Sequence, residues 1–171
     1  GQLKISLRSN IRGVKIKLIG STIRSIQFAS ALDSTSVVIE DTDIGTASAM
    51  DVVGVNFGYG LSSTTVAFTR VTVLASYQGV AFAGGLTNAV VAFNETHLLP
   101  TYSASGSIQN NGGSVSALFC KFLKSNSYLY VTDSTLRAVS EQTSGSARYV
   151  RALQVSSTMI GSQVNVFGST I

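Results

Sequence analysis

Residues 55–68, with the sequence VNFGYGLSSTTVAF, decide the fold of this 171-residue chain. The segment begins with Val55-Asn56-Phe57 and ends with Val66-Ala67-Phe68, so an apolar-x-apolar triplet returns after eleven residues. Strict alternation with β-branched residues is typical of short strands that bury one face. The glycines and serines between the two triplets indicate turns.

The same eleven-residue spacing joins four other pairs of triplets. These pairs are Ile5/Leu7 with Ile16/Leu18, Ile26/Phe28 with Val37/Ile39, Val80/Phe82 with Val91/Phe93, and Leu153/Val155 with Val164/Val166. Ala117 and Phe119 are expected to supply a further triplet in the remaining gap. The second triplets then return about every 25 residues, a period that is typical of repeat architectures.

A unit of two short strands that repeats along the whole chain predicts a parallel β-solenoid. Each coil of such a fold stacks on the next about 4.8 Å away, so that inward side chains form continuous columns. We therefore predict an all-β parallel β-helix of about seven coils, with Ile39, Phe68 and Phe93 along one line. A β-sandwich also has short strands at close spacing, but it gives no reason for a two-strand unit to stay in phase.

The triplets tend to continue as apolar-x-apolar-x-x-Ser/Thr-x-apolar. The hydroxyl residues at that position are expected to form ladders at equivalent corners of stacked coils; they are Thr42, Thr96, Ser134, Thr158 and Ser169. Val71 and Phe122 replace the hydroxyl residue in two units.

Residues 1–171 are expected to form a single domain that is part of a longer chain. The first triplet lies near the start and the last motif ends at Ile171, which leaves no segment for a cap over either end. Uncapped ends of a solenoid expose strand edges that promote association. Self-association, as a trimer or by end-to-end stacking, is therefore the alternative expectation.

The composition excludes several classes of protein. Only 12% of the residues are charged and 44% are hydrophobic, which is the reverse of a disordered chain. A single cysteine excludes a disulfide framework, and no apolar run is long enough for a membrane span. We expect no metal and no cofactor. Abundant Ser and Thr with little charge favour an extracellular, cell-surface or virion location.

Charge is distributed unevenly along the chain. Six of the 12 basic residues fall at or before Arg24, and no acidic residue precedes Asp33. A basic end favours an anionic partner such as an acidic polysaccharide. No aromatic residue lies among these basic residues before Phe28, so the stacking platform of a nucleic-acid-binding protein is not expected.

The repeat resembles that of the right-handed single-stranded β-helix proteins, the pectin-lyase-like family, over the whole chain. The resemblance implies a right-handed coil with three strands per turn and loops that build the working surface. The family includes polysaccharide lyases and hydrolases, phage tailspikes and bacterial surface passengers. The degenerate pattern is therefore more specific for the fold than for an activity.

Glu40, Asp41 and Asp43 are the candidate carboxylates if the chain is an enzyme. In an extended segment Asp41 and Asp43 share a face, within the range that paired carboxylates need for glycoside hydrolysis. Asp41-Thr42-Asp43 is similar to the Asn-Thr-Asp motif of polygalacturonases, with its first residue changed. The Gly-His-Gly motif of that family is missing, because the only histidine is His97 in Thr96-His97-Leu98. A solvated acidic corner, facing the basic first coil or binding a cation, is the more ordinary interpretation.

Tyr128 and Tyr130 are the candidate glycan contacts. They flank the inward Leu129, so they are expected to point outward together, either toward a sugar or toward a neighbouring chain. Cys120 has no partner cysteine and is expected to be a packing residue.

These observations favour a non-catalytic, structural or adhesive β-helix segment of a surface protein. It resembles a tailspike or an adhesin, and it is expected to contact surface polysaccharide or sister chains. The alternative is a polysaccharide-degrading β-helix, a hydrolase or lyase that uses the acidic cluster.

Overall fold

The computed structural model describes residues 4–8, 11–46, 52–102, 115–140 and 149–171, and within these ranges every element is a β-strand. Asp51 lies outside the described residues. Every strand pairing in the described ranges is parallel. The described ranges therefore do not form the antiparallel sheets of a β-sandwich.

The strands form three long sheets and one small sheet. Sheet 1 contains Lys4–Leu7, Ser25–Phe28, Val53–Phe57, Gln78–Phe82, Val115–Cys120 and Val150–Val155. Sheet 2 contains Ile11–Arg12, Leu32–Asp33, Leu61–Ser62, Leu86–Thr87, Leu123–Lys124 and Met159–Ile160. Sheet 3 contains Lys15–Ile19, Thr22–Ile23, Ser36–Ile44, Thr65–Val73, Val90–Asn94, His97–Leu98, Tyr128–Thr132, Thr135–Leu136 and Gln163–Phe167. The small sheet pairs Thr101–Tyr102 with Val139–Ser140.

The described chain passes through sheets 1, 2 and 3 in that order six times, against about seven units expected from the sequence. In every passage the first inward residue of sheet 1 precedes that of sheet 3 by eleven residues; Ile26 and Val37 are one example. All variation in repeat length therefore falls between sheet 3 and the next strand of sheet 1. This is the tolerance for insertions that is typical of loops in stacked repeats.

The inward columns are in register, as the sequence predicts. Phe68 pairs with Ile39 on one side and Phe93 on the other, and all three are fully buried. The rings of Phe68 and Phe93 stack with centroids 4.7 Å apart and an angle of 10°. In sheet 1, Phe57 stacks in the same way on Phe28 at 4.5 Å and on Phe82 at 4.8 Å. The separations match the strand spacing, so parallel pairing itself places the rings face to face.

The expectation that Ala117 and Phe119 form an inward triplet is wrong. Leu118 and Cys120 are the residues that pair with the inward Val80 and Phe82. Leu118 still precedes the inward Leu129 of sheet 3 by eleven residues, although the fifth passage has one residue fewer before sheet 2 and one more after it. The extra residue is accommodated by Ser125 and Asn126, which are both in the left-handed conformation. A one-residue shift exchanges the two faces of a strand, so this local compensation restores the register.

Sheet 2, which the triplet pattern does not reveal, contributes a two-residue strand to each passage between sheets 1 and 3. Its inward residue is large and apolar in every passage: Ile11, Leu32, Leu61, Leu86, Leu123 and Met159. Strands of this length have no visible alternation. The detectable signal is a single aliphatic residue that follows the sheet 1 triplet after three or four positions.

The chain turns twice around the first five residues of each sheet 3 strand, once just before them and once just after them. Each of these corners has a residue in the left-handed conformation. At the far corner these residues are Gly20, Asp41, Arg70, Glu95, Asp133 and Gly168, one per passage. The near corner has Gly13, Ser34, Ser63, Asn88, the Ser125-Asn126 pair and Gly161. A left-handed residue turns the chain within one position, which lets two strands meet at an angle.

A hydroxyl residue follows most of these left-handed residues and forms the ladder that the sequence predicts. Thr42, Thr96, Ser134 and Ser169 each donate to the carbonyl oxygen two residues earlier, over 2.7–3.0 Å. The ladder continues between passages, because Ser134 Oγ accepts from the amide of Thr96 and Ser169 Oγ accepts from the amide of Ser134, both at 3.0 Å. The corners therefore satisfy backbone groups that the turn removes from the sheets.

Two residues are wrongly placed in that ladder by the sequence motif. Thr158 is exposed and precedes a sheet 2 strand, so it belongs to a different corner. Phe122 occupies the same kind of position in the preceding passage and is not an exception to the ladder. Val71 is the one true replacement among the described passages.

Small residues line the corner where sheet 3 returns to sheet 1. The equivalent positions in five passages are Ser25, Gly54, Gly79, Ala117 and Ala152. A Cβ atom at Gly54 would collide with Cγ1 of Val73 and would lie 2.9 Å from the carbonyl oxygen of Gly79. The interior is narrow at this corner, so only small side chains fit there.

We predict that Gly54→Ala destabilises the protein by about 1–3 kcal/mol, because the added methyl group overpacks the corner. Gly58→Ala is the matched control, since a Cβ there meets only the carbonyl oxygen of Phe28 at 3.5 Å. Urea unfolding followed by circular dichroism measures both variants. Equal stability of the two variants would contradict the narrow corner.

Candidate functional site

The acidic cluster lies at the far corner of sheet 3, where the fold turns its side chains outward. Asp41 is the left-handed residue of the second passage, with φ of 49°, so the segment is not extended as the sequence suggests. The buried Thr42 separates it from Asp43, and both aspartates are exposed. Glu40 is the last outward-facing residue of the strand Ser36–Ile44 before the corner.

Arg70 binds two of the three candidate carboxylates. It occupies the same corner position as Asp41, one passage later. Its Nε donates to Asp41 Oδ1 at 2.6 Å, and its Nη2 donates to Asp41 Oδ2 at 3.0 Å and to Glu40 Oε1 at 2.8 Å. The bidentate contact with Asp41 is the strongest geometry that an arginine and a carboxylate can adopt.

The ion pair moves the pKa of Asp41 away from the range that acid catalysis requires. The hydrogen bond from Arg70 holds the pKa of Asp41 below its usual value, and the pKa of Arg70 is raised by the same contact. A glycosidase needs one carboxyl group with a raised pKa as its general acid. Glu40 and Asp41 are therefore arranged as two carboxylate partners of one cation, Arg70.

A shallow groove of about 430 Å³ lies beside this ion pair, lined by Arg70, Thr72, Glu95, His97 and Asp133. Arg70, Glu95 and Asp133 are successive left-handed corner residues, while Thr72 and His97 pair across the next two strands. Within the described ranges, no group of three or more His, Cys, Asp or Glu residues is arranged to hold a metal ion.

Tyr128 and Tyr130 lie together on the outer face of sheet 3, on either side of the buried Leu129. Their rings are nearly parallel, at 12°, with centroids 6.3 Å apart. Tyr130 is 37% exposed. Parallel pairing places Val90 and Ala92 beside the two rings on one side and Gln163 and Asn165 on the other.

The outer face of sheet 3 continues from these tyrosines across four further strands, and we call this surface the sheet 3 face. Its central column contains Lys17, Val38, Ala67, Ala92 and Tyr130. The adjacent column contains Lys15, Ser36, Thr65, Val90 and Tyr128. The side chains in the middle of the face are therefore small and largely uncharged. The side chains are aromatic at one end of the face and cationic at the other.

Among the described residues, the basic first passage contacts the acidic second passage in sheet 2. Arg12 Nε lies 3.0 Å from Asp33 Oδ2, an exposed contact between neighbouring sheet 2 strands. Lys15 and Lys17 are exposed on the sheet 3 face, and in the part of the chain that the structure describes neither has an ion-pair partner. Asp41 pairs with the third passage and not with this basic region.

Cys120 is a packing residue, as expected. Its side chain is an inward member of sheet 1 between Phe82 and Val155, and its Sγ lies 3.2 Å from the carbonyl oxygen of Phe122. Burial raises the pKa of the thiol to about 12, which keeps it protonated and unreactive at neutral pH.

Sequence reasoning did not identify Arg70, which lies 29 residues from Asp41. The signal was present, because both residues precede the same position of the hydroxyl motif, Thr42 in one unit and Val71 in the other. Alignment of the units on that motif places Asp41, Arg70, Glu95 and Asp133 in one column. The same alignment also places the residues of the sheet 3 face in columns.

We predict that Arg70→Gln raises the pKa of Asp41 toward the usual aspartate value of about 3.9. A carboxylate whose pKa is lowered by folding contributes stability above its unfolded pKa and loses it as the pH falls through the folded pKa. The difference in unfolding midpoint between parent and variant is therefore expected to be greatest near neutral pH and to shrink in acid.

Carboxyl carbon NMR shifts measure the titration of Asp41 directly. Arg137→Gln is the control, because this exposed arginine has no ion pair in the described ranges. An Asp41 titration that is unchanged in Arg70→Gln would contradict the ion pair.

Comparison with known proteins does not assign the chain to a family. No protein-family model matches the chain, and no curated protein or solved structure matches it significantly. In the described ranges there is no helix long and apolar enough to cross a membrane.

Proposed function

We propose that the chain is a right-handed parallel β-helix that serves as a non-catalytic, structural or adhesive segment of a surface protein. The repeated order of three parallel sheets supports this proposal. Crossovers between parallel strands are right-handed in about 98% of known cases, which supplies the handedness. The seven coils expected for the whole chain belong to the same proposal.

The rigidity of the scaffold supports a structural role. The stacked phenylalanines and the hydroxyl ladder repeat the same contacts in successive passages. Protein interiors packed in this way are as dense as organic crystals and transmit strain rather than yield. Such a rod holds an extended outer surface at fixed spacing, which suits adhesion to a polymer with a regular repeat.

The single observation that carries the non-catalytic assignment is the set of hydrogen bonds that Arg70 donates to two carboxylates, Glu40 and Asp41. The lowered pKa of Asp41 supports a structural ion pair. The aromatic pair Tyr128 and Tyr130 supports contact with glycans, since tyrosine offers an apolar ring face and a polar tip. Low charge and abundant Ser and Thr favour an extracellular, cell-surface or virion location.

We predict that the protein binds polysaccharide without cleaving it. Binding is measured by calorimetry against a panel of neutral and acidic oligosaccharides, and cleavage by the release of new reducing ends and unsaturated products. The Asp41→Asn/Asp43→Asn variant is expected to retain full binding. Cleavage by the parent that is lost in this variant would contradict the proposal and favour the hydrolase or lyase.

A further inference from the structure

We propose that copies of this chain stack head to tail, so that the last described passage of one copy pairs with the first passage of the next. The contacting surfaces belong to residues 4–23 and residues 150–171. This inference goes beyond the proposed function and does not depend on it, because it concerns the two outermost passages of the stack and not the outer faces of the sheets.

Exposed apolar side chains are concentrated in these two passages. The inward Val166 is 36% exposed, whereas Val131, its neighbour in the preceding strand, is fully buried. Leu18 is half-buried, whereas its neighbour Ile39 is fully buried. Exposed apolar patches of this kind mark sites of protein association. Eight of the twelve large apolar or aromatic residues that are exposed in the described ranges lie in the first or last passage: Val14, Ile19, Val150, Met159, Ile160, Val166, Phe167 and Ile171.

The two passages have the same internal spacing, so the first can follow the last without an offset. Val155 lies 148 residues after Leu7, and Val166 lies 148 residues after Leu18. The sheet 2 strands between them keep the same interval. Each inward residue of the last passage therefore has an apolar counterpart in the first passage, at the position where the next residue of its column belongs.

The corners of the two passages also match. Among the six described passages, only the first and the last have glycine at both left-handed corners of sheet 3. A corner without a Cβ atom leaves room for the corner of a neighbouring copy. These glycines are Gly13 and Gly20 in the first passage, and Gly161 and Gly168 in the last.

The hydroxyl ladder can continue from one copy to the next. The sequence Gly-Ser-Thr-Ile occurs at 20–23 and again at 168–171. Ser21 Oγ donates to the carbonyl oxygen two residues earlier over 3.0 Å, as the other members of the ladder do. Inside the chain, the amide of Ser134 donates to Ser169 Oγ at 3.0 Å. We expect the amide of Ser169 to donate in the same way to Ser21 Oγ of the next copy.

Head-to-tail stacking continues all three long sheets at once. In the described ranges each of these sheets begins in the first passage and ends in the last, so its outer strand edges are unpaired. Unpaired edges pair readily with strands of another chain. The junction then has the strand pairs that already join the first passage to the second. The strands available for it are Lys4–Leu7, Ile11–Arg12 and Lys15–Ile19 on one copy, and Val150–Val155, Met159–Ile160 and Gln163–Phe167 on the other.

Charge disfavours the stacking of two first passages on each other. Lys15 and Lys17 are exposed at that end, and two first passages in contact would bring the lysines of both copies together. In the head-to-tail arrangement their neighbours are the neutral side chains of Gln163 and Asn165. The lysines therefore favour the last passage as the partner of the first.

The other charged residues near the junction do not change this preference. Basic residues outnumber acidic ones at both ends, so the repulsion across the junction is modest and is screened by salt. The charged residues of the first two passages are Lys4, Arg8, Arg12, Lys15, Lys17, Arg24, Asp33, Glu40, Asp41 and Asp43, and those of the last two described passages are Lys121, Lys124, Asp133, Arg137 and Arg151.

Strand direction disfavours the stacking of two last passages on each other. A two-fold axis between them would reverse one set of strands, so their pairing would be antiparallel and the three sheets could not all continue. The head-to-tail contact joins two different surfaces, and a contact of this type adds further copies without closing. The expected product is therefore an open series of oligomers.

Light scattering of the 171-residue chain over a range of concentrations tests the association. We expect the mass to rise with concentration beyond that of a dimer. Asn165→Lys is expected to weaken association about two- to fivefold, because it places a lysine beside Lys17 of the next copy. Asn165→Asp is expected to strengthen it by a similar factor. Thr65→Lys is the matched control, since Thr65 is exposed on the same sheet in the middle of the stack.

Disulfide trapping tests the register of the junction. In the Lys17→Cys/Asn165→Cys variant, the two cysteines of one copy lie five strand spacings apart, or about 24 Å, which is too far for an intramolecular disulfide. Cysteines of adjacent copies are expected to pair on mild oxidation and to give a ladder of covalent oligomers. Each single variant is expected to give none, and so is Ile19→Cys/Asn165→Cys, in which the pair is displaced by two residues.

Three outcomes would overturn the inference. The first is a monomeric mass at every concentration without covalent oligomers of Lys17→Cys/Asn165→Cys. The second is a covalent dimer of Asn165→Cys alone, which would show that two last passages meet. The third is a mass that stops at a trimer, which would show lateral association. Glycan binding is measured separately, so each of these outcomes leaves the proposed function standing.

Discussion

Packing of each inward side chain on its counterpart in the next strand is the interaction on which the rest of the structure depends. In a parallel sheet the pairing register and the side-chain register are the same, so a column of apolar residues forms only where the repeats stay in phase. Phe28, Phe57 and Phe82 show the consequence, since three rings stack at 4.5 and 4.8 Å. The constant distance of eleven residues between sheets 1 and 3 preserves this phase, while the return from sheet 3 to sheet 1 varies in length.

The same constraint determines where chemistry can appear. Corners must turn within one residue, and the left-handed position that achieves this points its side chain to solvent. The protein uses charged residues there, including Arg70 and Glu95, at a position where glycine has the lower conformational cost. Because the corners also stack, a cation in one passage lies beside the carboxylates of the previous one. The ion pair of Arg70 with Asp41 and Glu40 is therefore a product of the repeat.

The sequence predicted the strands of sheets 1 and 3 because their alternation survives in the residue pattern, as at Val55/Phe57 and Val66/Phe68. It did not predict sheet 2, whose two-residue strands have no alternation. It misplaced Ala117 and Phe119, because residues 117–120 are all apolar and either alternate pair fits the triplet pattern. The carboxylates and tyrosines were identified as exposed. Their partners were not, because Arg70 and Ala92 are distant in sequence and meet the site only through the stacking of passages.

The most direct measurement of the stacking is disulfide trapping on the outward side of sheet 3. Val38, Ala67 and Ala92 are paired neighbours, and adjacent strands place their Cα atoms within the range of about 4.4–6.8 Å that a disulfide requires. The pairs Val38→Cys/Ala67→Cys and Ala67→Cys/Ala92→Cys are expected to form intramolecular disulfides on mild oxidation. Ala67→Cys/Asn94→Cys, displaced by two residues, is expected to form none. A disulfide in the displaced pair, with none in the two paired variants, would contradict the in-register columns.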